Sequence, residues 1–129
     1  MPRIVITGAS DGIGAEVACQ LAQQHGSALQ LTLAARNLEH LQAVAAQCQA
    51  HGAQTLVLPT DVSEESQCRA LIASSVQHFG GLDVLVNNAG VSAHALFEEV
   101  AAEHLAWYEQ LMRTNFWGSV WCTHAALPH

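Results

Sequence analysis

The sequence contains no lysine; its four basic side chains are Arg3, Arg36, Arg69 and Arg113. That absence excludes every mechanism built on a lysine amine: a Schiff base, a P-loop phosphate contact, or an ammonium that lowers a neighbouring tyrosine's pKa. Eleven Asp and Glu outweigh the arginines, for a formal charge of −7 and a pI near 5.5. This is the wrong sign for a surface that tracks a phosphate backbone, so no nucleic-acid partner is expected. No apolar run reaches the roughly 18 residues that a membrane span needs. Charged residues are only 12% of the chain against 50% hydrophobic, the reverse of a disordered composition. Cys19, Cys48, Cys68 and Cys122 form no Cys-x-x-Cys pair, and the histidines add no cluster with zinc-ligand spacing. No metal site is expected, and the thiols read as core residues of a protein from a reducing compartment. The apolar run Ile4-Val5-Ile6 before the first turn is too short for a signal-peptide core, which makes the cytoplasm the predicted location.

What is present is a regular alternation. The 129 residues suit one domain, spanning 1–129. Ile4-Val5-Ile6 predicts a strand, followed by a glycine-rich turn and an amphipathic helix over 13–25 with apolar residues at 13, 17, 18, 21 and 22. Residues 29–35 predict a second strand, and Asn37 is placed to cap a helix that runs to His51 and stops at Gly52. Residues 55–59 predict a third strand, Ser63 caps the next helix, and Gly80-Gly81 closes it after Phe79. The fourth strand is 82–86. One long helix is then expected from Ala101 or Ala102 to Ala126. His25, His51 and His78 fall near helix C-termini, where a cation is favoured.

Strands alternating with helices require right-handed crossovers, so the expected class is α/β: a Rossmann-type doubly wound parallel sheet with helices on both faces. Such a dinucleotide fold has about six strands. The chain therefore reads as its N-terminal portion, truncated after the fourth strand and following helix. The fourth strand becomes an uncovered edge. With Phe116, Trp117, Val120 and Trp121 at helical spacing on the last helix, that edge invites self-association.

The turn Gly8-Ala9-Ser10-Asp11-Gly12-Ile13-Gly14 lies between strand and helix, the context in which glycines serve phosphate binding. Gly8 permits a tight turn, Gly12 admits a pyrophosphate close to the backbone, and Gly14 lets the helix pack near the strand. Unpaired N–H groups at the helix start favour the diphosphate. The end of the second strand faces the adenosine ribose, and there the sequence carries Arg36 and no acid. A guanidinium pairs bidentately with a 2′-phosphate, whereas a carboxylate would select a 2′-hydroxyl. The reading is NADP over NAD, with Asp11 in the turn as an opposing charge. Gly8 to Gly12 also fits the Gly-x-Ser-x-Gly pattern of a hydrolase elbow with Ser10 as nucleophile, but that elbow normally follows several strands.

Thr7-Gly8-x-x-x-Gly12-Ile13-Gly14, Asp61-Val62, Asn87-Asn88-Ala89-Gly90 and Asn115, in this order and spacing, resemble the short-chain dehydrogenase/reductase family. The resemblance implies that Asp61 and Val62 bracket the adenine. It places Asn88, Ala89 and Gly90 on the ribose side of the cofactor, and has Asn87 anchor the fourth strand. Asn115 then shapes its helix and holds a water in a proton relay, as part of the catalytic apparatus. It implies hydride transfer between a nicotinamide and a small-molecule alcohol or carbonyl. The sequence departs from the family in its chemistry: Tyr108 is the only tyrosine, Met112 stands where a Tyr-x-x-x-Lys motif needs lysine, and the family's serine is missing too. The expectation is the cofactor part of an NADP-dependent oxidoreductase, inactive alone. The alternative is a non-catalytic dinucleotide-binding or protein-interaction module.

Overall fold

A computed structural model describes residues 1–129. Its elements are β1 (Arg3–Thr7), α1 (Gly12–His25), β2 (Gln30–Ala35), α2 (Leu38–Ala50), β3 (Gln54–Pro59), α3 (Glu65–Phe79), β4 (Val84–Val86), α4 (Ala106–Met112) and α5 (Gly118–Ala126). The strands form one parallel sheet in the order β3-β2-β1-β4. The register sets Val5 beside Thr32 and Leu85.

Because successive side chains of a strand point to opposite faces, the central strand feeds two cores. Ile4 and Ile6 join Leu31, Leu33, Leu41, Val44 and Cys48 beneath α1 and α2. Val5 joins Cys68, Leu71, Ile72 and Cys122 beneath α3 and α5. Ile6, Leu31, Leu33 and Leu41 are fully buried, each contributing about 1.5–3 kcal/mol relative to an exposed position. The buried hydroxyls of Thr32 and Ser75 hydrogen-bond each other at 2.6 Å, and no buried side-chain polar atom lacks a partner. The doubly wound α/β architecture expected from the alternation is the one observed.

Local departures have identifiable causes. The N-cap of α2 is Asn37, whose Oδ1 accepts from the His40 N–H at 3.0 Å, but Ser63 does not cap α3. Asp61 captures both the Ser63 N–H (3.0 Å) and its hydroxyl (2.7 Å), and the helix begins at Glu65. A 3₁₀ turn over Gly26–Ala28 delays β2 to Gln30. The strand β4 shortens to Val84–Val86, with Asp83 turned into a side-chain bond with Arg3. The single long helix expected from Ala101 or Ala102 is instead divided. Phe97–Glu99 and Ala102–His104 are 3₁₀ turns, and a π-helical segment over Arg113–Trp117 separates α4 from α5. A π segment shifts the hydrogen-bond register by one residue, and such segments, though rare, are frequent at functional sites. Val84 on the sheet edge is 45% exposed; Phe116, Trp117 and Leu127 are exposed as well. No helix is long and apolar enough to cross a membrane.

Candidate cofactor site

The site is built outward from the end of β1. Thr7 is buried, and its hydroxyl oxygen accepts from the N–H groups of Asn88 and Ala89, both at 3.0 Å. The same hydroxyl donates to the Val86 carbonyl at 3.4 Å. One side chain thus ties the turn after β4 to the turn after β1, the point where the strand order reverses and open α/β sheets bind ligands. Asn88 reinforces the junction by donating from Nδ2 to the Gly8 carbonyl at 3.1 Å. A Cβ on Gly8 would come within 2.8 Å of the Ala89 Cα, and one on Gly14 would overlap the Gly8 carbonyl oxygen. Close approach therefore demands glycine at both positions. Gly12 is different: nothing lies within 4 Å of where its Cβ would stand, and its φ of +54° makes the demand.

A cavity of about 680 Å³ opens at this junction, within the range of small-molecule sites. Gly8, Ser10 and Asp11 line it from the first turn, and Ala34, Ala35, Arg36, Asn37 and His40 from the end of β2 and the start of α2. Thr60, Asp61 and Val62 contribute the wall after β3; Ala89, Gly90 and Val91 contribute the wall after β4, with Thr114 of the π segment between them. Of the residues singled out by sequence, Gly8, Ser10, Asp11, Arg36, Asp61, Val62, Ala89 and Gly90 are thus brought together.

Gly12, Ile13, Gly14, Asn88 and Asn115 do not line the cavity. Gly14 and Asn88 hold its frame, Gly12 opens α1, and Ile13 is 75% exposed. Asn115 spends its whole amide on one neighbour: Oδ1 accepts from the Val91 N–H at 2.8 Å and Nδ2 donates to the Val91 carbonyl at 2.7 Å. Asn87 donates to the Thr123 hydroxyl at 3.0 Å, linking the end of β4 to α5.

The electrostatics favour an anion. Asp11 stands at the N-cap of α1 without capping it, so the first-turn N–H groups keep no side-chain partner. Arg36 is exposed and in no ion pair; those present are Arg3–Asp83, Arg69–Glu65 and His104–Glu103. Asp61 is held in place by Ser63 and by its own N–H donating to Gln67 Oε1 at 2.8 Å. Ser10 has no hydrogen-bonded base, which a hydrolase nucleophile requires. Tyr108 packs on Phe97 with ring centroids 5.9 Å apart and is not part of the lining.

His40, Thr60 and Thr114 are participants that sequence reasoning passed over, and Thr7 entered it only as the first residue of the glycine motif, with no role of its own. Thr7 and Thr60 carry a usable signal, a hydroxyl at or just past the C-terminal end of a parallel strand. His40 follows from the helix start at Asn37, three residues on. Thr114 has no local signal, because only the packing of the π segment brings it to the cavity.

Residues 2–129 match the profile of the family described as short chain dehydrogenase. An 11-beta-hydroxysteroid dehydrogenase of Pinus massoniana is 40% identical over 127 residues, which cover 98% of this chain and 34% of that protein. The 11-beta-hydroxysteroid dehydrogenase 1A of Arabidopsis thaliana is 41% identical, with 98% of this chain and 35% of that protein covered. Among solved structures, an alcohol dehydrogenase from the archaeon Thermococcus sibiricus complexed with 5-hydroxy-NADP is similar with a TM-score of 0.89 at 30% identity. That match covers 99% of this chain and 52% of the other. An NADH-dependent reductase, A1-R′, complexed with NAD is similar with a TM-score of 0.86 at 28% identity, covering 99% of this chain and 51% of the other. The chain spans about a third of the length of these curated relatives and about half of these solved structures.

Proposed function

The chain belongs to the short-chain dehydrogenase family, and from that premise we propose that residues 1–129 act as the NADP-binding domain of an oxidoreductase acting on an alcohol or carbonyl. The observation that carries the choice of cofactor is Arg36: an unpaired guanidinium at the end of β2, inside the cavity, with no acid at that strand end. A 2′-phosphate there gains a charge-assisted, bidentate partner, whereas a bare 2′-hydroxyl gains little. Asp11 lines the same cavity and limits the preference by repulsion. The solved relatives support a nicotinamide dinucleotide without choosing between the two forms, since one carries an NADP analogue and the other NAD.

In this reading the uncapped start of α1 receives the diphosphate, Arg36 the 2′-phosphate, and Asp61 and Val62 flank the adenine. Ala89 and Gly90 leave room for the ribose beside the nicotinamide. Asn88 and Asn115 work behind the lining: the first fixes the glycine turn, the second fixes Val91. When bound, the nicotinamide supplies a hydride donor or acceptor. The proton that must accompany hydride transfer has no donor of Tyr-x-x-x-Lys type in these residues, so the 129-residue chain is expected to bind cofactor without turnover.

Titration of the purified chain with NADPH and with NADH, read by ligand fluorescence or calorimetry, tests this. NADPH should bind more tightly, and Arg36→Ala should weaken NADPH by about 10- to 100-fold, the range for losing a hydrogen bond to a charged group, with NADH unchanged. Equal affinity for the two forms overturns the NADP preference. Failure of a chain folded by circular dichroism to bind either overturns the cofactor reading.

A further inference from the structure

Three consecutive residues at the start of the π segment reach three different parts of the cavity. Arg113 Nε donates to the Ser63 carbonyl at 3.1 Å, Thr114 lies in the lining, and Asn115 grips the main chain of Val91. Ser63 ends the short stretch that contributes Thr60, Asp61 and Val62 to the wall after β3. Val91 belongs to the opposite wall, after β4. One segment of helix therefore holds both sides.

Arg113 is an unusual use of a scarce charge. The chain has four basic side chains and a net charge of −7. Arg3 and Arg69 are paired with carboxylates and Arg36 faces the cavity. Arg113 instead spends its hydrogen bond on a neutral carbonyl, with its guanidinium 5.2 Å above the centroid of the Trp121 ring. Trp121 in turn stacks on Trp117 at 5.8 Å and packs against the core beneath α3 and α5. Arg113 is exposed, and a planar cation laid over an indole face is directed, so the donor points where the ring sets it. The same helix meets the loop a turn later: a Cβ on Gly118 would stand 2.9 Å from the Val62 carbonyl oxygen and 3.0 Å from the Val62 side chain. Cys68 Sγ, from α3, donates to that carbonyl at 3.3 Å. The loop is thus gripped at two successive carbonyls, at Val62 by α3 and at Ser63 by Arg113.

We infer that Arg113 is a positioning residue for the adenine end of the site: by holding the Ser63 carbonyl from its shelf on Trp121, it fixes Asp61 and Val62 at the spacing the ligand needs. The inference rests on the reading of this cavity as a dinucleotide site. It assigns the adenine wall to the helix after β4, and so joins the two ends of the site through residues 113–115.

The test uses the whole chain and 2′,5′-ADP, which carries the adenosine end alone. Arg113→Met keeps a long apolar stem for Trp121 and removes the donor. It should raise the Kd for 2′,5′-ADP by about three- to tenfold, the scale of one hydrogen bond, and Arg113→Lys, which keeps a cation but not the planar donor, should recover only part of the loss. Amide exchange should quicken over residues 60–63 while β1 and β2 stay protected. Unchanged affinity in Arg113→Met overturns the inference. So does exchange that quickens equally in β1 and β2, because that marks a merely structural role. Should Arg113→Met fail to fold, Trp121→Phe carries the same expectation with a smaller rise, and unchanged binding there also overturns it. A wild-type chain that binds no 2′,5′-ADP removes the cofactor reading and this inference together, whereas a wild type that binds beside an unaffected Arg113→Met removes this inference alone.

Discussion

At the scale of single residues, Asp83 shows how a distant partner sets a side chain's chemistry. Its carboxylate accepts from the Arg3 guanidinium at 2.9 and 3.0 Å and from the Arg3 backbone N–H at 2.8 Å. These bonds to a cation hold its pKa at about 2, below the ordinary 3.8, and push Arg3 upward in return. Since the folded pKa lies below the unfolded one, Asp83 stabilises the fold fully above about pH 4, and the contribution disappears as pH falls through about 2. Asp83→Asn should therefore have a lower urea midpoint than wild type at pH 7, with the gap closing as pH falls from about 4 towards 2. The pair is exposed, so the gap should also narrow in about 1 M salt. A gap independent of pH over that range would show that the ion pair contributes nothing. None of this was legible locally, because Asp83 sits within a stretch that reads as plain strand and its partner is 80 residues away. The places of Arg36 and Gly8 in the cavity lining were legible, because each follows from position at a strand end.

Whole elements divide according to whether their boundaries depend on neighbours in sequence or in space. The start of α2 is local: Asn37 caps His40 three residues on. Asn37→Ala should destabilise the protein by about 0.5–2 kcal/mol and Asn37→Ser far less, measured by chemical denaturation; equal losses in both would mean that the side-chain cap is not what matters. The start of α3 looks the same in sequence and is not, because Asp61 competes for the Ser63 hydroxyl. The last helix is the clearest case. Its apolar spacing reads as one continuous helix, but Asn115 must reach Val91 and Arg113 must reach Ser63. The helix accommodates both through a π segment, a register change that propensity and periodicity do not encode.

For the molecule as a whole, the sheet order places two helical layers on opposite faces, and the cysteines report on each. Cys48 lies in the core beneath α1 and α2, where burial pushes its thiol up to about 12. Cys68 and Cys122 are fully buried together beneath α3 and α5, where Cys122 is pushed upward by its neighbour Cys68 and by burial, and Cys68, though pulled downward, has no exposed surface. Cys19 is half-buried at the surface of α1. Iodoacetamide at neutral pH should therefore modify Cys19 first, leaving the other three protected until the chain unfolds. With the central strand shared by both layers, Cys48 and the Cys68–Cys122 pair should become reactive over the same urea range. Reactivity in one layer at distinctly lower urea would show that the layers unfold separately.

The order of strands and helices, the parallel α/β class, the family, and the glycine turn with Arg36 can all be read along the chain. Each of these depends on near neighbours: apolar spacing, turn chemistry, and motifs that recur at fixed points in the chain. How the strand ends meet is set by the folded chain instead. Thr7 binding the turn after β4, Asp83 binding Arg3, and the π segment bracing both walls of the cavity join residues 24 to 82 positions apart. Their partners are chosen by the crossing of the chain over the sheet, and a one-dimensional pattern holds no record of which side chains that crossing brings together.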